Sequence, residues 1–184
     1  AGTNSVIYLN AGATLNTFTK GTGTVTLKGS GVYDLGSNNT TSNVSGLNQA
    51  TWTGTTKVSN VAYCDITAAF NSLGNTKSTV HVSNASGYFN TTDSNNAHLN
   101  TNLHIAKDTN ITLTNGNSVN NQLPNRKALI NGKVSGEGNI IVTQSANPNT
   151  LCTFNYEFAG DVSEWTGKLS NQVNKTGFTI GVAF

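Results

Sequence analysis

The chain has 184 residues, ten basic and eight acidic, for a formal charge of +2, and its one arginine is Arg126. A length of this order supports one domain with one substantial core. The scattered cations argue against nucleic-acid binding, whose affinity comes from clustered Lys and Arg neutralising successive phosphates.

Asn, Thr and Gly supply about two-fifths of the residues, methionine is absent and proline occurs twice. That composition suits turns and polar strands and is poor in helix formers. No apolar run is long enough to span a bilayer as a helix. No basic-then-apolar leader opens the chain, so a secreted protein would be present here after processing or as a fragment.

In chain order, alternating runs of Val, Ile, Thr, Tyr and Phe bounded by Gly, Asn and Ser predict strands at 6–9, 14–19, 24–28 and 31–35. A further run covers 55–66, with a break near Asn60, and is followed by strands at 79–83, 87–90, 102–106 and 110–114. The last set falls at 128–130, 139–143, 153–158, 167–170 and 177–184. The one candidate helix is "DITAAFNSLGN" at 65–75, where Ile66, Ala69, Phe70 and Leu73 fall at helical spacing and Gly74-Asn75 could close it. "NGNSVNNQLPNRK" at 115–127 reads as a loop, because Pro124 cannot sit in a central strand.

A repeated phrase organises these elements. "KGTGTVTLKGSGVYDL" and "VSGEGNIIVTQ" share Gly-x-Gly, a polar residue and an alternating strand, Val25 and Leu27 in one copy and Ile140 and Val142 in the other. A strand with aromatics follows each, and then Trp-Thr-Gly, at Trp52 and at Trp165, the only two tryptophans. Each tryptophan falls roughly 30 residues after the first glycine, a period typical of stacked repeats. The modules run over about 21–58 and 136–170 of a single domain, 1–184.

This pattern suits an all-β fold, a right-handed parallel β-helix. One coil of two or three short strands cannot bury its inward side chains alone and stacks on the next about 4.8 Å away. At about 20–25 residues per coil the chain would make roughly eight coils and a rod near 40 Å long. The alternative is a β-sandwich or jelly roll, which uses the same strands and turns. Asn115-Gly116 and Asn131-Gly132 are hairpin signals on its side.

"GKVSGEGNIIVTQ" with "YEFAGDVSEWTGKL", and "GTGTVTLKGSGVY" with "TWTGTTKV", resemble the autotransporter-associated β-strand repeats of bacterial surface passengers. "FNSLGNTKSTVHVSNASGYF" at 70–89 is similar to segments between such repeats, and the resemblance covers about half the chain. It implies a β-helical passenger at the outer surface, carried across the outer membrane by a separate C-terminal barrel. The chain departs from the family in having two cysteines and no recognisable barrel, so the resemblance implies a passenger piece.

Several residues are candidates for a site. Trp52 and Trp165 could each offer an aromatic face to a sugar, with Asn and Thr to bond its hydroxyls. The competing role for each is packing under the corner that Gly54 or Gly167 turns, and recurrence within a repeat favours it. Glu157, Asp161 and Glu164 form the one local acidic group, but a glycosidase needs two carboxylates facing across a cleft. His98 and His104, evenly spaced in "HLNTNLH", would share one face of a continuous strand, and His81 is the third histidine. No Gly-x-Ser-x-Gly elbow or complete dinucleotide fingerprint occurs, and neither cofactor nor metal is expected.

Cys64 and Cys152 test the fold. Coils stacked in sequence set them about four coils apart, nearly 20 Å, whereas bridged Cα atoms lie within about 7 Å. At the C-terminus "GFTIGVAF" alternates Phe178, Ile180, Val182 and Phe184, like the last strand of an outer-membrane barrel, although the chain has too few long strands for one. As an exposed strand it could pair with another subunit.

The expected function is non-enzymatic: an extracellular or bacterial cell-surface stalk or adhesin that contacts host or matrix glycans or proteins. The alternatives are a subunit of an extracellular filament self-associating through terminal strands, and a β-helical carbohydrate-active enzyme.

Overall fold

The computed structural model describes residues 4–10, 14–16, 20–29, 32–34, 51–59, 63–68, 72–73, 77–84, 86–91, 96–115, 126–143, 152–173 and 178–184. The described residues form strands and turns without a helix.

Seven strands make the first sheet, in the order β1 (Asn4–Leu9), β4 (Thr24–Gly29), β7 (Thr55–Ser59), β10 (Thr79–Ser83), β13 (Asn102–Ile105), β16 (Val134–Gly136) and β19 (Glu164–Trp165). Seven more make the second: β2 (Thr14–Asn16), β5 (Val32–Asp34), β8 (Tyr63–Ala68), β11 (Ser86–Thr91), β14 (Asn110–Asn115), β17 (Asn139–Thr143) and β20 (Leu169–Asn171). The third contains β9 (Ser72–Leu73), β12 (Asn96–Leu99), β15 (Arg126–Ile130), β18 (Cys152–Phe158) and β21 (Phe178–Ala183). β3 (Lys20–Gly21) and β6 (Thr51–Trp52) pair separately.

Among the described residues every pairing is parallel and joins a strand to the third one after it, so three successive strands form one level. Among the described residues the first sheet has seven strands, and six spacings of about 4.8 Å separate its first from its last by about 29 Å.

Parallel sheets are usually covered on both faces and read as continuous apolar runs. Here β7 and β10 of the first sheet, β17 of the second and residues 155–158 of the third alternate buried and less buried residues, so each sheet buries one face only. The inward residues meet in one core that all three sheets line: Val58, Val82 and Ile105 from the first, Ile111 and Val142 from the second, Ile130 and Phe158 from the third. Register stacks like on like. Val58, Val82 and Ile105 follow one another in adjacent strands, as do Ile111 and Ile140, with each aliphatic side chain contributing about 1.5–3 kcal/mol by leaving water.

The structure corrects three expectations. Residues 65–68 belong to β8 and 72–73 to β9, so no helix forms in that described part of 65–75. The helical spacing of Ile66 is overridden by backbone pairing on both sides of β8, with β5 and β11. Asn131-Gly132 turns from β15 into β16, which lie in different sheets, so it makes a corner and not a hairpin. Arg126 and Lys127 are strand residues, while 116–125 of the expected loop lie outside the described residues, as does the Gly116 of the other hairpin signal. β21 pairs parallel with β18, whereas the strands of an outer-membrane barrel are antiparallel, so its pairing is not that of a barrel strand.

Cys64 lies on β8 in the third level and Cys152 on β18 in the sixth, in different sheets. Three strand spacings alone, about 14 Å, exceed the reach of a disulfide. Both thiols of the unreduced monomer are therefore expected to react with a thiol reagent in denaturant. A mass two hydrogen atoms short of the dithiol, with no free thiol, would contradict the pairing.

Candidate functional site

The two Trp-Thr-Gly phrases acquire a geometric meaning from the register. Gly21 of the first Gly-x-Gly pairs with Trp52, and Gly136 of the second pairs with Trp165. Each Gly-x-Gly thus lies directly beside a Trp-Thr-Gly one level on, and the near-constant interval between the phrases is the length of chain that separates those levels. The two copies sit at different corners: 21–23 and 52–54 lead into the first sheet, whereas 136–138 and 165–167 lead from the first sheet into the second.

At the second corner the details are visible. Trp165 is partly buried against the core, and its Nε1 donates to the Gly138 carbonyl at 2.8 Å. Thr166 N donates to the Gly136 carbonyl at 2.9 Å. A side chain at Gly167 would collide with the Gly138 carbonyl oxygen and come within 2.6 Å of Trp165 Nε1, so glycine alone allows the two corners to approach.

The indole also stacks with Phe184, centroids 6.3 Å apart, and Phe184 stacks on Phe158 at 5.0 Å. This aromatic row runs outward from the core: Phe158 is 3% exposed and Phe184 64%. Val182 packs on the core beside Tyr156, its partner in β18. The backbones of Trp52, Phe178 and Ile180 are placed in β6 and β21, and their side chains lie outside the described part.

Trp165→Phe keeps a ring over the corner but removes its N–H donor. It is expected to lower stability by about 1 kcal/mol, read as a lower urea midpoint at constant slope. An unchanged midpoint would show that the bond to Gly138 contributes nothing.

The acidic group divides between two places. Glu157 is on β18 in the third sheet, while Asp161 and Glu164 both reach Lys133 Nζ, at 3.5 and 2.6 Å. Ser163 N donates to Asp161 Oδ1 at 2.9 Å, closing a two-residue turn. That bond, ahead of the Lys133 charge, holds the Asp161 carboxyl below its usual range, and the Glu164 hydrogen bond raises Lys133. All three side chains are at the surface, where such pairs add little stability.

The histidines are regrouped. His98 and His104 fall on β12 and β13, in different sheets, because the chain turns a corner at Asn100-Thr101 between them. His104 instead pairs in register with His81 on β10, and their rings lie 4.3 Å apart at 62°. His104 Nδ1 is 3.0 Å from the Ser135 hydroxyl. Burial, then His104, then Lys57 push His81 below the usual imidazole pKa. The even spacing in "HLNTNLH" could not show this pairing, whose partners are separated by a full level of intervening chain. Among the described residues no group of three or more His, Cys, Asp or Glu is placed to hold a metal.

Asparagine lines the corners. Asn131 Nδ2 donates to Asn100 Oδ1 at 2.8 Å, and Asn139 Nδ2 donates to Asn110 Oδ1 at 3.0 Å. Lys168 N donates in turn to Asn139 Oδ1 at 3.1 Å. Amides one level apart satisfy one another where the strands stop, which accounts for part of the unusual Asn content. Compared with protein-family models, with curated proteins and with solved structures, the chain matches none.

Proposed function

We propose that the chain is a piece of a non-enzymatic, right-handed parallel β-helical passenger at the bacterial cell surface, serving as a stalk or adhesive surface. The observation that carries this reading is the pairing of each strand with the third one after it across all three sheets. Parallel crossovers are right-handed in about 98% of cases, which supports the hand. Stacked sheets that bury only their inner faces offer long, stiff outer faces rich in Thr and Asn, the chemistry that meets sugar hydroxyls or a partner's backbone. The repeat phrases and their resemblance to passenger repeats support the cell-surface location. Binding of the immobilised protein to a glycan array or to matrix proteins, without saccharide turnover, is the expected result. Saccharide cleavage abolished by Glu157→Ala, Asp161→Ala or Glu164→Ala would favour a carbohydrate-active enzyme instead.

A filament subunit is the second reading, supported by the last level. Phe184 and Leu169 are exposed there, and among the described residues β19, β20 and β21 each pair on one side only. Concentration-dependent assembly that disappears on deleting 177–184 would favour it.

A further inference from the structure

We propose that His81 and His104 form a two-imidazole site for a divalent transition metal ion on the outer face of the first sheet. The two residues occupy neighbouring strands in register, on the side of β10 and β13 that faces away from the core. Parallel pairing holds their backbones about 4.8 Å apart, and the rings are already within 4.3 Å. Two Nε2 atoms bonded to one ion at about 2.0–2.1 Å lie about 3 Å apart, which rotation of such close rings can reach.

The surroundings suit a neutral nitrogen ligand. The Ser135 hydroxyl sits 3.0 Å from His104 Nδ1, and in the tautomer that carries its proton on Nδ1 and donates to Ser135, Nε2 is the coordinating atom. An outer partner of this kind fixes ring orientation and basicity in metal-binding histidines. His81 lies in register beside His104, with the two rings in edge contact.

The same surroundings select the ion class. Lys57 follows in register beside His81, and Glu164 lies two levels from His104, with Ser135 between. A hard cation such as Ca²⁺ or Mg²⁺ needs several oxygen ligands, which this row lacks. Ni²⁺ and Cu²⁺ favour imidazole and tolerate a site completed by water.

Calorimetric titration of the whole chain with Ni²⁺ tests the site. One equivalent should bind, His81→Gln and His104→Gln should each weaken binding at least tenfold, and His98→Gln should leave it unchanged. Binding should also weaken as pH falls from 7.5 to 5.5, because imidazole binds a metal ion only in its deprotonated form. In the unaltered protein, substoichiometric Ni²⁺ should broaden the imidazole NMR signals of His81 and His104 together and spare His98, a readout that needs no variant to fold. Binding that survives either glutamine substitution in a folded variant, equal broadening of all three histidines, or no binding would overturn the proposal.

Discussion

Gly136→Ala is expected to lower stability by about 2–4 kcal/mol, far more than its single added methyl would suggest. Gly136 has φ of +98°, a conformation that costs an L side chain about 1–3 kcal/mol. The new Cβ would also be driven into the backbone carbonyl oxygen of Ile105 and lie 2.9 Å from its carbonyl carbon. That oxygen accepts from Gly138 N at 3.0 Å, so moving it weakens a bond worth about 1 kcal/mol.

The disturbance then reaches the next level. Thr166 N is bonded to the Gly136 carbonyl and Trp165 Nε1 to that of Gly138, so the corner that Trp165 closes rests on the one Gly136 opens. Urea unfolding should show the loss, with Glu137→Ala, at an exposed neighbour, staying within about 0.5 kcal/mol of the parent. Equal midpoints for the two variants would remove the close-packed corner as a source of stability. Amide exchange should also quicken in β19 and β20, because levels in a stack depend on their immediate neighbours.

Much of this arrangement could be read from the sequence, and the failures share one cause. The strands at 79–83 and 139–143 have both ends where alternation placed them, because a short run of period two is enough to reveal an inward face. β3, β6 and β19 are two residues long and have no period to detect, and only their neighbours define them. The interval between Gly-x-Gly and Trp-Thr-Gly was visible as a number. Its meaning, one step of the stack, required the register. Steps differ in length: Thr14 pairs with Val32, but the next step, from Val32 to its partner Tyr63, takes much more chain. A variable step hides which distant residues become neighbours. For that reason spacing cannot join His81 to His104, and it sets His98 and His104 on one face although they lie in different sheets.

Ile105→Ala should be the most damaging of the aliphatic truncations in the first sheet, costing about 2–5 kcal/mol, while Leu169→Ala should cost about 1 kcal/mol. The two side chains are isomers of equal size in register with core strands, so the contrast isolates position in the stack. Ile105 is 0% exposed, with Val82 in register on one side and the Gly136 corner closed over it on the other. Its removal leaves a cavity that cannot collapse, because the carbonyls on both sides are tied into interstrand hydrogen bonds.

Leu169 lies in register with Ile140, yet it belongs to the last level and is 39% exposed, having a neighbour on one side only. Truncating it removes less contact and opens no closed void. A stack held by nearest-neighbour burial therefore predicts a stability gradient, stiff in the middle and weaker at the final level. Paired urea midpoints for the two variants measure that gradient. Equal losses would mean that the level carrying Leu169 is covered as completely as the middle of the stack, and that its exposed edge is not an end.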